Sequence, residues 1–296
     1  MAEIRAGLSR PEATIAPKYF YDDLGSKLFE AITQLPEYYP TRTERSIFER
    51  YAADIARSVG SGATMIDLGA GNCAKARQLF PALRPAHYVA VDVSADFLRD
   101  ALYELRSQFP GIAMQALGQD FSAGLMLPSS VPRERRLFFY PGSSLGNFEP
   151  AAALALLRNL RSHCREGDGL LIGIDLVKPA SILEPAYDDA LGVTAAFNLN
   201  VLNHVNRLAG TDFAPAEWRH HAGFNVALSR MEMHLEARRE LDVRWPGGTR
   251  HFAPGERIHT ESSYKYELLP FRALLVKAGF PTINAWTDDR HWFAVC

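Results

Sequence analysis

The sequence predicts an α/β protein: a doubly wound parallel sheet carrying a second, discontinuous α+β domain. Three observations point there. Residues 63–176 alternate short apolar runs with amphipathic helical runs. Several of the apolar runs lack the polar alternation of a half-solvated strand, as strands covered on both faces do. Residues 1–42 and 177–262 fall outside that alternation, rich in aromatics and prolines in the first case and mixed helical and alternating in the second.

In chain order, ATMIDL (63–68) reads as the first strand and the run through KARQLF as the helix after it. HYVAVDV (87–93) is followed by the helical SADFLRDALYELRSQF, and IAMQALGQD (112–120) supplies a third strand. RRLFFYPG (135–142) precedes the helix EPAAALALLRNLRSH, and GLLIGIDLV (169–177) closes the alternation. Strand and helix alternating in this way build a parallel sheet with helices on both faces. Near the C-terminus LLPFRALLVKAGF reads as a helix stopped by Gly279 and Pro281. TINAWT and HWFAVC, flanking TDDR, read as an antiparallel pair at the sheet edge. The predicted division is therefore 43–176 with 263–296 as the sheet domain, and 1–42 with 177–262 as the second. GVTAAFNLNVLNHVNRL gives the latter a helix, and ALSRMEMHLEA and ELDVRW give it strands.

Composition narrows the function classes. Thirty-two basic and 34 acidic residues nearly cancel over 296 positions, and no long run of like charge occurs, so nothing suggests a nucleic-acid or membrane partner. Cys73, Cys164 and Cys296 lack metal or redox spacing and are too few for a disulfide framework. The N-terminus lacks a signal-like apolar stretch, and no segment approaches the roughly 18 apolar residues of a membrane span. A soluble, cytoplasmic protein is expected, its oligomeric state left open and compatible with a monomer. His220 and His221 are read as adjacent residues of a helix, pointing different ways with no third ligand at ligand spacing, so no metal is expected.

The chemistry gathers around MIDLGAGNCAKARQLF (65–80). Gly69, Gly71 and Ala74 satisfy the G-x-G-x-x-G/A of a dinucleotide site. Asp67, two residues before Gly69, equally supplies the acid-x-Gly-x-Gly of enzymes that bind S-adenosylmethionine (SAM). Asp92, ending HYVAVD, suits ribose hydroxyls in either case. Asp120 and Phe121, after the third strand, suit the amino group and face of an adenine and favour SAM. Lys75 is placed to reach the methionine carboxylate, although it also reads as a solvated helix lysine. Cys73 departs from a third glycine.

Longer strings carry a family resemblance. FYDDLGSKLFEAITQLPEYYPTRTE (20–44), FYPGSSLGNFEP (139–150), AYDDALGVTAAFNLNVLNHVNRL (186–208), RMEMHL (230–235) and IHTESSYKY (258–266) resemble the histidine Nα-methyltransferases of ergothioneine biosynthesis, nearly end to end. The resemblance implies a class I SAM methyltransferase sheet and SAM as methyl donor. It implies L-histidine as the small-molecule substrate, with its pocket between the sheet and the extra domain, and the trimethylated betaine hercynine as product. In that family the glycine turn typically continues without a third glycine, which accommodates Cys73. Carried over, the resemblance gives Tyr38, Glu261 and Ser263 to the imidazole and Met233 to the lining of its pocket. It gives Asn147 and Tyr187 to the carboxylate, Tyr21 to the vicinity of the amine, and makes Tyr21 and Asn147 the candidate catalytic pair.

Residue chemistry alone leaves other readings open. Tyr38 and Tyr39 read equally as core aromatics, and Asn147 as a cap for the following helix. The glycine string by itself admits an NAD(P)-dependent oxidoreductase, and the family resemblance admits an N-methyltransferase of a tryptophan-like amino acid. Glu261 and Met233 argue against the latter, since an indole would leave that carboxylate poorly matched and crowd that methionine, whereas a carboxylate suits an imidazole bearing one or two N–H donors.

Overall fold

The structure is a computed structural model describing residues 1–296 apart from the side chain of Asp96. The chain opens with α1 (Ala2–Leu8), β1 (Ala13–Thr14) and α2 (Asp23–Ile32), then runs through the long α3 (Tyr39–Val59). The alternating region follows: β2 (Thr64–Leu68), α4 (Ala74–Leu83), β3 (His87–Asp92), α5 (Ala95–Gln108), β4 (Ala113–Gly118), β5 (Arg136–Tyr140), α6 (Pro150–Ser162) and β6 (Gly169–Asp175). Next come α7 (Ala180–Leu183), α8 (Val193–Ala209), β7 (Trp218–Asn225), β8 (Arg230–Ala237), β9 (Leu241–Trp245), β10 (Gly248–Phe252) and β11 (Arg257–Tyr264). The chain ends with α9 (Leu268–Ala278), β12 (Trp286–Thr287) and β13 (Phe293–Val295). It divides into two compact units, Met1–Tyr39 with Lys178–Tyr264 and Pro40–Val177 with Lys265–Cys296.

The second unit is a seven-stranded sheet of order β12-β13-β6-β5-β2-β3-β4. β2 lies parallel between β3 and β5, with Met65 opposite both Tyr88 and Leu137. β13 runs antiparallel to β6, with Phe293 opposite Asp175, and β12 returns antiparallel along β13. This is the class I methyltransferase arrangement. Successive strand residues serve opposite layers. Met65, Ala90 and Phe139 pack with Ile47, Phe48, Leu79, Leu98 and Leu102 from α3, α4 and α5. Ile66, Val91 and Phe138 pack with Leu156, Leu160, Phe271 and Leu275 from α6 and α9. The strand order reverses at β2, so the carboxyl ends of β2, β3 and β5 border the crevice where such sheets bind ligands.

The first unit holds a four-stranded sheet, β1-β11-β8-β7, and the separate hairpin β9–β10. β8 pairs antiparallel with both β7 and β11. Its alternation sends Met231, Met233 and Leu235 into the core, while Glu232 and His234 face the other way, half-buried. α8 packs Phe197 against the N-terminal aromatics, stacked on Phe20 at 4.6 Å and tilted to Phe29 at 5.9 Å. His220 and His221 lie in strand β7 rather than a helix, because pairing with β8 across the full strand outweighs the local pattern. Adjacent strand residues point to opposite faces, so the two histidines remain apart.

Candidate active site

In the sheet unit, β2 is buried at every residue and delivers Asp67, 1% exposed, to its carboxyl end. The turn that follows has positive φ at Gly69 (73°) and Gly71 (51°), and a Cβ at either would meet nothing within 4 Å. The glycines are therefore required by backbone conformation, and they leave the turn open above. Cys73 also adopts the left-handed conformation, at φ 59°, and its amide closes the turn on the Ala70 carbonyl at 2.8 Å. Its side chain is buried in the α4 layer, and burial pushes the thiol up to about 12, so it serves as a packing group.

Asp92 secures the turn. Its Oδ2 accepts the Gly71 amide at 3.0 Å and its Oδ1 the Ser94 amide at 3.2 Å. A carboxylate offers about four acceptor sites, so both oxygens keep capacity for ribose hydroxyls. Lys75 Nζ lies 2.7 Å from Glu44 Oε2, while Glu44 Oε1 accepts the Gly142 amide at 2.8 Å. Lys75 is thus already partnered by a buried carboxylate rather than waiting as a solvated helix lysine. Asp120 accepts the amide and hydroxyl of Ser122 through Oδ1, at 3.0 and 2.5 Å, and shapes the loop after β4. Phe121 sets its ring edge-on to Tyr140 at 5.8 Å.

Asn147 ends a short 3-10 turn, Ser144–Asn147, beyond β5. The N-cap of α6 is Glu149, so Asn147 is not the helix cap that sequence alone allowed. Its loop is anchored at two points, by Gly142 on Glu44 and by Ser143 Oγ, which accepts the Asp175 amide at 2.8 Å. Asn147 itself is half-buried and makes no side-chain hydrogen bond among the described residues.

In the other unit, β8 and β11 bring Met233, Glu261 and Ser263 together. Glu261 stands opposite Met233 and Ser263 opposite Met231, all four buried. This follows from a register shift between His259 and Glu261, where Thr260 is an extra residue on β11. Thr260 Oγ1 donates to the Met233 carbonyl at 3.0 Å and fixes the bulge. Tyr187 donates its hydroxyl to Ser263 Oγ at 2.8 Å. His220 is a support that sequence reasoning missed: its Nε2 donates to the Tyr187 carbonyl and its Nδ1 accepts from Asn198, both at 2.8 Å. That pattern requires the neutral ring, and burial lowers the histidine's pKa accordingly.

Of the tyrosine pair, Tyr39 is the core residue, 1% exposed, receiving a hydrogen bond from Lys178 Nζ at 3.0 Å. Tyr38 is half-buried, edge-on to Phe29 at 6.2 Å. Tyr21 is also half-buried, edge-on to Phe29 and Phe197. Both tyrosine rings thus rest on Phe29. Among the described residues no cluster of three or more His, Cys, Asp or Glu is arranged to hold a metal, and no helix is long and apolar enough to cross a membrane.

The residues at the β2 turn fit SAM. Asp67 Oδ1 is buried without a hydrogen-bond partner, the glycines leave the turn uncovered, and the donor set offers carboxylates to an ammonium and to hydroxyls. The chain matches the family model described as histidine-specific methyltransferase, SAM-dependent, over residues 1–296. It is 41% identical to the histidine N-alpha-methyltransferase of Mycolicibacterium smegmatis, covering 97% of this chain and 90% of that protein. It is 39% identical to the enzyme of the same name from Mycobacterium tuberculosis, again covering 97% and 90%. It is 28% identical to a 4-dimethylallyltryptophan N-methyltransferase of Claviceps purpurea, covering 97% and 91%. The dinucleotide reading of the glycine turn is thereby set aside, and the chain belongs to the SAM-dependent, histidine-specific methyltransferase family.

Proposed function

We propose that this methyltransferase acts on the α-amine of L-histidine and carries it to the trimethylated betaine hercynine. The observation that supports the substrate assignment is the buried pair Glu261 and Ser263 opposite Met233 and Met231. A carboxylate beside a hydroxyl accepts from an imidazole N–H, and two methionines give the ring an adaptable apolar wall. Tyr38, on its aromatic floor, is assigned to the same ring. The roles of Tyr21, Asn147 and Tyr187 toward the amine and carboxylate rest on the family resemblance.

SAM, when bound by Asp67, Gly69, Gly71, Lys75, Asp92, Asp120 and Phe121, supplies a methyl group on a sulfonium centre. Displacement at that carbon needs a neutral amine aimed along one line, so the chain's task is orientation more than proton abstraction. Tyrosine, asparagine and serine are orienting groups, and the inventory suits that task. The tryptophan-type alternative is disfavoured because an indole, with its single N–H, suits a carboxylate beside a hydroxyl less well than an imidazole does. The three free thiols fit a reducing, cytoplasmic setting. The test is mass spectrometry of the protein incubated with SAM and single amino acids. Mono-, di- and trimethylated histidine are expected, and turnover of tryptophan in preference to histidine would overturn the assignment.

A further inference from the structure

Tyr88 lies on β3, directly across from Met65 on β2, and is fully buried. Its hydroxyl donates to Asp67 Oδ2 at 2.6 Å, while Asp67 Oδ1 has no hydrogen-bond partner. The neighbouring amides cannot supply one. Gly69 and Ala70 donate to the Val91 carbonyl at 2.8 and 3.1 Å, Gly71 to Asp92, Cys73 to Ala70, and Ala74 to Asn72 Oδ1. The phenol ring is itself fixed, with Phe80 edge-on at 5.0 Å. One carboxylate oxygen is therefore held by Tyr88, and the other is buried two residues before the glycine turn with no donor of its own.

We propose that Tyr88 is a positioning residue of the cofactor site: its hydroxyl clamps Asp67 so that Oδ1 receives the α-amine of the methionine part of SAM. The proposal rests on the SAM dependence of the family and extends it to a residue that touches no ligand. A buried carboxylate oxygen left unpaired is costly, and a charged or polarised N–H donor at that point removes the cost.

The groups facing Asp67 make the arrangement sensitive to pH. Burial dominates and raises its pKa to about 7; the Tyr88 hydrogen bond and Lys75 of α4 lower it, while Asp92 at the end of β3 and Glu44 of α3 raise it. The carboxylate form, which accepts the amine, is present above that value and lost as pH falls through it. Removing the Tyr88 hydroxyl removes a lowering influence, so the midpoint moves to higher pH.

The test is calorimetry with SAM and with 5′-methylthioadenosine, which lacks the amino-acid portion. Tyr88→Phe keeps the ring and its packing. It should bind SAM about tenfold more weakly at pH 7.5 while binding 5′-methylthioadenosine as the parent does. The pH midpoint for SAM binding should rise in Tyr88→Phe, and the dependence should flatten in Asp67→Asn. Unchanged SAM affinity, or equal weakening of both ligands, would show that Tyr88 only packs and overturn the proposal. A parent protein that binds 5′-methylthioadenosine but not SAM would instead overturn the cofactor reading, and the proposal with it.

Discussion

The hydroxyl of Tyr187 meets Oγ of Ser263 at 2.8 Å, while the carbonyl of the same tyrosine is held by His220. Tyr187 is thus fixed at both ends, and the serine hydroxyl is oriented by accepting from it. A residue assigned to the substrate carboxylate and one assigned to the imidazole are coupled before any substrate arrives. Tyr187→Phe should raise the KM for histidine by about tenfold and lower the melting temperature by about 2–4 °C, because Ser263 loses a donor in a buried setting. Steady-state kinetics beside a thermal melt checks this; an unchanged KM removes Tyr187 from the binding site.

Histamine keeps the imidazole and amine and lacks the carboxylate. With Asn147 and Tyr187 assigned to that group, it should be methylated at least about a hundredfold less efficiently than histidine, since the Asn147 amide would lose its charged partner in a desolvated site. Comparable kcat/KM values would show that these two residues have another job.

Glu261→Ala should lower kcat/KM for histidine by about ten- to a hundredfold, the usual cost of a charged hydrogen bond. Combined with Met233→Val it should also admit tryptophan, because the unmatched carboxylate and the bulk opposing an indole are both gone. Turnover of the two amino acids in parent, single and double variants decides it. Undiminished histidine turnover in Glu261→Ala would end the imidazole assignment.

Asp92→Ala removes the acceptor of the Gly71 amide as well as the expected ribose contact. SAM affinity should fall by about ten- to a hundredfold, while circular dichroism stays that of the parent. A variant that binds SAM normally would show that the turn holds its shape without Asp92 and that the ribose is held elsewhere.

On the outer face of the first unit's sheet, His221, His234 and His259 stand in one row across β7, β8 and β11, with ring centroids 6.2 and 5.2 Å apart. Burial, then His259, lowers the His234 pKa from 6.5 to about 4, with Arg257 and His221 acting the same way and Glu232 opposing. A folded-state pKa below the unfolded value leaves stability intact above about 6.5 and removes it as pH falls toward 4, by up to about 3 kcal/mol. Urea unfolding at pH 7.5 and 5 should show about 2 kcal/mol of that loss, reduced in His234→Gln. An equal loss in the variant would place the acid sensitivity elsewhere.

The sheet unit was legible because its strands are apolar throughout and its helices amphipathic, a contrast that survives without an alignment. Asp67, Asp92 and the glycines were candidates by spacing alone. Tyr88 and Glu44 did not: each looks like an ordinary residue of a strand or helix, and only pairing β2 with β3, or folding α3 beside the Gly142 loop, shows what it holds. His220 was misjudged for the same reason, since two histidines in a row carry no periodicity and β8 decides their geometry. On β11 simple alternation misleads, because it would place Glu261 on the same face as His259.

That last point turns on Thr260. Were β11 regular, pairing onward from His259 and His234 would set Glu261 against Glu232 and Ser263 against Arg230, on the histidine face. The extra residue shifts the strand's spatial reading frame, and everything after it changes sides. If Glu261 and Ser263 hold the imidazole as proposed, recognition depends on a count of residues as well as on their identities. A substitution along IHTESSY changes one group, whereas losing Thr260 alone would carry Glu261 and Ser263 together, both intact, to the opposite face of the sheet.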